Sequence, residues 1–259
     1  MHNYSNALYF TPLLALGSIS LSPFTPAAAA ELRELSTDRP DTTESTHTVD
    51  AGHFQFELEV ANWERNGSSR TWNFAEANLK FGLNASTDLQ LVLPLYSRIH
   101  GGSEGYGDMT IRLKHNLWGN DDGDTALAIM PFLKLPTAHG DLGNGKWEGG
   151  LIVPFSFSLP GDWDSAVMVE VDANAVGNGY HAVIVTSATA SHGLTENTAC
   201  FFELVSVLST ESGADLAAYF NHGYTWSFTK NWQLDGGIRV GLNAASVDFT
   251  PFLGLSAKF

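Results

Sequence analysis

The last eleven residues read Phe249-Thr250-Pro251-Phe252-Leu253-Gly254-Leu255-Ser256-Ala257-Lys258-Phe259. Leu253, Leu255, Ala257 and Phe259 fall on one side of an extended chain, and Gly254, Ser256 and Lys258 fall on the other. A period of two residues marks a β-strand with one apolar and one polar face, because successive side chains of a strand point to opposite sides.

The same period runs back through the chain. Between Asp108 and Trp118, Met109, Ile111, Leu113 and Leu117 oppose Asp108, Thr110, Arg112, Lys114 and Asn116. From His53, Phe54, Phe56, Leu58 and Val60 oppose Gln55, Glu57 and Glu59. Ala75, Ala77, Leu79 and Phe81 oppose Glu76, Asn78 and Lys80, and Val167, Val169 and Val171 oppose Glu170 and Asp172. In all, about twelve segments of roughly ten residues appear, the length a tilted strand needs to cross the hydrocarbon of a bilayer. Turn-forming clusters separate them, among them Asn66-Gly67-Ser68-Ser69, Gly119 to Asp124, Pro160-Gly161-Asp162 and Asn243-Ala244-Ala245. These read as hairpin connections between antiparallel neighbours.

A soluble sandwich and a barrel in lipid both fit such strands. Aromatics near strand ends (Trp63, Trp72, Tyr96, Trp118, Trp163, Trp226 and Trp232) suit interfacial girdles and favour the barrel. An outward-facing Phe259 closing the last strand is similar to the signal by which outer-membrane barrels are recognised for assembly. The amino terminus agrees. Met1 to Ala30 holds no acidic or basic side chain except His2, and an apolar run from Ala7 to Leu21 leads into Ala27-Ala28-Ala29-Ala30. Small residues at Ala28 and Ala30 place a signal-peptide cleavage before Glu31. The expectation is a signal peptide over 1–30, a periplasmic N-terminal segment over 31–52, and a barrel over 53–259. Its fold class is all-β, a transmembrane antiparallel up-and-down β-barrel of about 12 strands.

Composition excludes some functions. The net charge is −15, from 28 acidic and 13 basic residues, so the basic face needed to bind nucleic acid is missing. A lone Cys200 cannot form a disulfide within the chain. His100, His139, His181, His192 and His222 show no metal-binding spacing, and Asp121 to Asp124 lacks the ligands of a calcium loop, so no metal or cofactor is expected. The Gly-rich runs at 101–105 and 140–145 lack the Lys and helix of a phosphate loop and read as extracellular loops. An outer-membrane lipase would need an outward Ser beside a His. Ser191 and His192 fall on opposite faces of a strand, and Ser187 has no His on its own side, so no catalytic residue is assigned.

The segment Thr37-Asp38-Arg39-Pro40-Asp41-Thr42-Thr43-Glu44-Ser45, followed by Val49-Asp50-Ala51-Gly52-His53-Phe54-Gln55-Phe56-Glu57, resembles the opening of a bacterial outer-membrane transporter family of the "meta-pathway of phenol degradation" type. The similarity continues at Leu79-Lys80-Phe81-Gly82-Leu83, Gly193-Leu194-Thr195, Phe202-Glu203-Leu204 and Leu234-Asp235-Gly236-Gly237. The resemblance implies a place in the outer membrane and passive transport of small hydrophobic or aromatic solutes. A structural or adhesive closed barrel is the alternative, and a lipid-modifying enzyme a more distant one. The implied partners are outer-membrane lipid and lipopolysaccharide, the barrel-assembly machinery and a small-molecule solute.

Candidate lumen-lining residues are those opposite the apolar face: Glu57, Glu59, Glu76, Lys80, Arg112, Lys114, Glu170, Asp172, Glu203, Asp235 and Arg239. Glu203, Asp235 and Arg239 are favoured because they interrupt apolar or Gly-rich strands. These charges either neutralise one another as structural filling or form a polar track for solute. Asp38, Arg39 and Asp41 either enter the lumen as a plug, with Arg39 pairing Glu57 or Glu59, or form a periplasmic turn set by Pro40.

Overall fold

The computed structural model describes residues 32–121 and 123–259; the expected signal peptide lies outside them. Twelve long strands follow one another: β1 (Phe54–Asn66), β2 (Ser69–Asn84), β3 (Thr87–Ile99), β5 (Thr110–Trp118), β6 (Thr125–Lys134), β7 (Glu148–Leu159), β8 (Trp163–Val176), β9 (Gly179–Thr195), β10 (Thr198–Ser209), β11 (Ala217–Thr229), β12 (Trp232–Gly241) and β13 (Phe249–Lys258). A two-residue strand, β4 (Glu104–Gly105), adds to β3 in the loop that follows it. Each long strand pairs antiparallel with its neighbours in sequence, and β13 returns to pair with β1. Phe54 and Phe259 exchange both backbone hydrogen bonds at this seam, so the sheet is closed. The Gly119–Asp124 and Pro160–Asp162 turns fall between strands as their sequences indicate.

The inside-out distribution of polarity follows from the alternation. Nine of the twelve largest side chains with under 2 % exposure or so are polar, including Lys80, Lys114, Gln90, Glu57 and Glu203. Leu113, Leu133, Leu151, Val169, Leu204 and Leu253 are all at least 40 % exposed. A water-soluble sandwich would bury the second set and expose the first. This chain does the reverse, as a barrel with a lipid-facing outer surface must.

Connections at the rim where Phe54 and Phe259 lie (the terminal rim) are short, while those at the opposite loop rim reach across 100–109 and 135–147. Aromatic bands mark both rims. Trp63, Trp72, Phe74 and Tyr96 run in contact near the loop rim. Trp226, Phe228, Trp232 and Phe259 do so at the terminal rim, and Trp163 stacks on His192 there.

One departure from simple alternation matters for the lumen. Val60 and Ala75 stand opposite each other between the β1–β2 pairs Glu59–Glu76 and Ala61–Phe74. The β1–β13 register shifts at Val60, and Ala75 adopts a left-handed conformation with φ 56°. The inward series then changes phase: Glu57 and Glu59 are followed by Asn62 and Glu64, linked through Asn73. A bulge re-aims side chains in this way, and alternation read from sequence passes over it.

Candidate functional site

Residues 32–50 fold into the lumen as a loop stitched to itself. At the terminal rim Arg33 lies 3.3 Å from Asp50 and 2.6 Å from Asp121, and donates to the Ala85 carbonyl. Lys258, from the end of β13, bonds both the Arg33 carbonyl and the Asp50 carboxylate. Further in, the Ser36 and Ser45 hydroxyls are 2.7 Å apart, and the Ser45 N–H donates to Asp38. Gly82 permits the return leg: a Cβ there would stand 2.0 Å from the Asp50 carbonyl oxygen.

Ionic contacts join this loop to the wall. The Asp38 carboxylate bridges Lys80 and Lys114, and Lys80 also binds Glu57. Burial opposes ionisation of Asp38, but the Lys114 and Lys80 ammonium groups hold its carboxyl well below the usual carboxylate range. Glu57 in turn accepts the backbone N–H groups of Asp38 and Arg39. Arg39 reaches 2.8 Å to Glu59 on β1 and 2.8 Å to Asp235 on β12. Arg239 shares Glu59 at 3.3 Å and lies over the ring of Phe252, 4.7 Å from its centroid.

The contacts continue around the barrel. Glu203 accepts the N–H groups of Thr42 and Thr43, and the Thr43 hydroxyl meets Ser187 at 2.7 Å. Glu44 pairs with Arg112 at 2.8 Å. Thr46 meets Ser156, Thr48 bonds Asn120, and the Val49 N–H donates to Asp88. Removing one partner of a buried ion pair strands the other charge at a cost of ~3–5 kcal/mol, so these pairs specify where the loop sits. Burial, followed by the nearby Glu203 carboxylate, pushes Asp41 up to about 8. Burial, followed by Asp38, pushes Glu44 up to about 7.

Space remains on both sides of the loop. A cavity of ≈ 510 Å³ at the terminal rim is lined by Arg33, His47, Asp50, Asn120, Asp164 and Lys258 among others. On the loop-rim side a cavity of ≈ 420 Å³ is bordered by Asp41, Glu44, Glu59, Glu64, Glu76 and Arg239. A smaller one of ≈ 240 Å³ adjoins Arg239 and contains Glu170. Asp172 stands two residues further along β8 on the same side, with one carboxylate oxygen lacking a partner.

The structure therefore brings Glu57, Glu59, Lys80, Arg112, Lys114, Glu203 and Asp235 against the loop, whereas Glu76, Glu170 and Asp172 stand apart from it. Sequence reasoning missed Asp88, Asn120, Asn221, Glu44 and Lys258. Asp88 and Asn221 were within reach of parity, since each lies two residues from another inward side chain, Gln90 or Tyr219. Among the described residues no group of three His, Cys, Asp or Glu side chains is placed to hold a metal.

Residues 37–259 match the family described as "Putative MetA-pathway of phenol degradation". No curated protein sequence matches the chain. An outer membrane channel from Pseudomonas putida F1 superposes with a TM-score of 0.61 at 14 % identity, over 83 % of this chain and 98 % of that one. The NanC porin superposes with a TM-score of 0.57 at 8 % identity, over 80 % of this chain and 100 % of its own. At such identities the likeness speaks for the fold.

Proposed function

The chain belongs to that phenol-degradation family, and from this premise we propose that it is an outer-membrane barrel passing small hydrophobic or aromatic solutes passively. The observation that carries this reading is a polar lumen with cavities on both sides of one internal loop. The loop acts as a plug, and passage requires its displacement. Lipopolysaccharide and lipid surround the barrel, and the assembly machinery inserts it by its C-terminal strand.

The protein is not an enzyme in this reading. Ser187 is turned into the lumen against Thr43, while His192 stacks on Trp163 and its Nδ1 lies 3.0 Å from the Asp162 carbonyl. Ser187 and His192 therefore form no Ser–His pair. A closed structural barrel is the second reading, favoured by the number of contacts that seat the loop.

Liposome swelling with graded neutral solutes beside phenol-like ones separates the two. Uptake above protein-free vesicles supports passage and sets its size cutoff. No flux, from protein shown to be folded by heat-modifiable gel mobility, leaves the closed barrel.

A further inference from the structure

The space on the loop-rim side of the plug has an apolar half and an acidic half. Val185 from β9, Val205 and Val207 from β10, and Tyr219 from β11 line the ≈ 240 Å³ cavity, with Thr42 of the plug at its edge. An apolar cavity of ~150 Å³ already holds a benzene ring, so a one-ring body fits. Arg239 borders this cavity and the larger one, so the two adjoin.

The unmet polar groups are chiefly acceptors. Asn221 lines the cavity and is 1 % exposed. Its amide nitrogen lies 2.6 Å from the Glu203 carboxylate and 3.3 Å from the Thr42 hydroxyl. A carboxylate can only accept, so the amide NH₂ must face it. That orientation leaves Asn221 Oδ1 buried without a partner. Glu170, in the same cavity, has no Lys or Arg partner among the described residues and shares a hydrogen bond with the Asp172 carboxyl, so the pair carries one negative charge; Glu64 and Glu76 across the lumen have no Lys or Arg partner either. Arg239 Nε is an unpartnered donor, but its guanidinium is already neutralised by Glu59 and packed on Phe252.

Such a site complements a group that only donates and carries positive charge. An ammonium has N–H donors and no acceptor. A carboxylate would meet Glu170, Glu64 and Glu76. A neutral hydroxyl would satisfy one acceptor and leave the negative field in place. We propose that this cavity binds a small organic ammonium ion. Its N–H groups lie at Asn221 Oδ1 and Glu170, and its apolar body lies against Val185, Val205, Val207 and the Tyr219 ring. The inference rests on solutes entering the lumen, as argued above, and it names a charge class for them.

Calorimetric titration of the detergent-solubilised full chain with benzylammonium, benzyl alcohol and benzoate tests it. Benzylammonium binds at least ~10-fold more tightly than benzyl alcohol, the effect of one hydrogen bond to a charged group, and benzoate does not bind. Glu170→Gln weakens benzylammonium by a similar factor, and Val207→Trp, which fills the cavity from the wall, abolishes binding. Equal binding of the alcohol and the ammonium, or binding unchanged in both variants, overturns the proposal. Binding without vesicle flux would uphold the site and sink passage; flux without binding would do the opposite.

Discussion

The Arg39 guanidinium rests against the main chain of Gly254: a methyl group there would stand 2.4 Å from both Nε and Nη2, and 2.6 Å from the Asp235 carboxylate that Arg39 binds. Glycine at this point of the last strand is the space into which the plug's arginine fits. Gly254→Ala is expected to eject Arg39 from between Glu59 and Asp235 while leaving the strand paired. A loss of even ~1.4 kcal/mol in seating changes the ratio of seated to released plug about tenfold. Bilayer conductance of the variant should rise accordingly, with barrel mobility on gels unchanged.

The Thr43 and Ser187 hydroxyls touch at 2.7 Å, one on the plug and one on the wall. Cysteines at both positions, in a Cys200→Ser background, are expected to form a disulfide on oxidation. The oxidised double variant is expected to show no solute flux above protein-free vesicles, and dithiothreitol to restore it. Flux that persists after complete oxidation would show that solutes do not need the plug to move.

Leu113 is 40 % exposed on the outer surface, and Lys114 beside it is fully buried. Leu113→Arg should destabilise the barrel in lipid by ~2–4 kcal/mol if it sits near the bilayer midplane. Leu113→Met should cost under ~1.5 kcal/mol. Urea titration in liposomes measures both.

Plug seating should also respond to pH. Asp41 is pushed up to about 8 when seated, whereas a released carboxyl ionises near its ordinary ~3.9. Between those values the seated loop holds a proton that the released loop gives up, so seating weakens as pH rises through the window. Glu44, pushed up to about 7, acts in the same direction. Asp38, held far below its ordinary value, stays ionised throughout and contributes no slope. Conductance should therefore be higher at pH 9 than at pH 5, and Asp41→Asn should reduce the slope to the part that Glu44 supplies.

Strand order and the inward or outward sense of most side chains were legible because alternation is local. Leu113 and Lys114 need only each other to be assigned opposite faces. The bulge at Val60 and Ala75 was hidden because its cause, a left-handed residue facing an unpaired one, leaves no mark in hydrophobicity. The plug was half visible. Arg39 was expected at Glu57 or Glu59; it binds Glu59, while Glu57 takes backbone N–H groups. Its second partner, Asp235, is 196 positions away, and only barrel closure brings β12 round to it. Local pattern carries no information about such a meeting.

The two legs of the plug meet at a single rim, where Arg33 and Asp50 are 3.3 Å apart. A stopper tethered on one side yields unequally to force from the two directions. Pressure or field driving toward the terminal rim pulls the loop along its own tether and out of its seat. The reverse drive presses it further in. For the channel proposed above this predicts rectification: current–voltage curves from oriented single channels should be asymmetric, in the manner of a check valve.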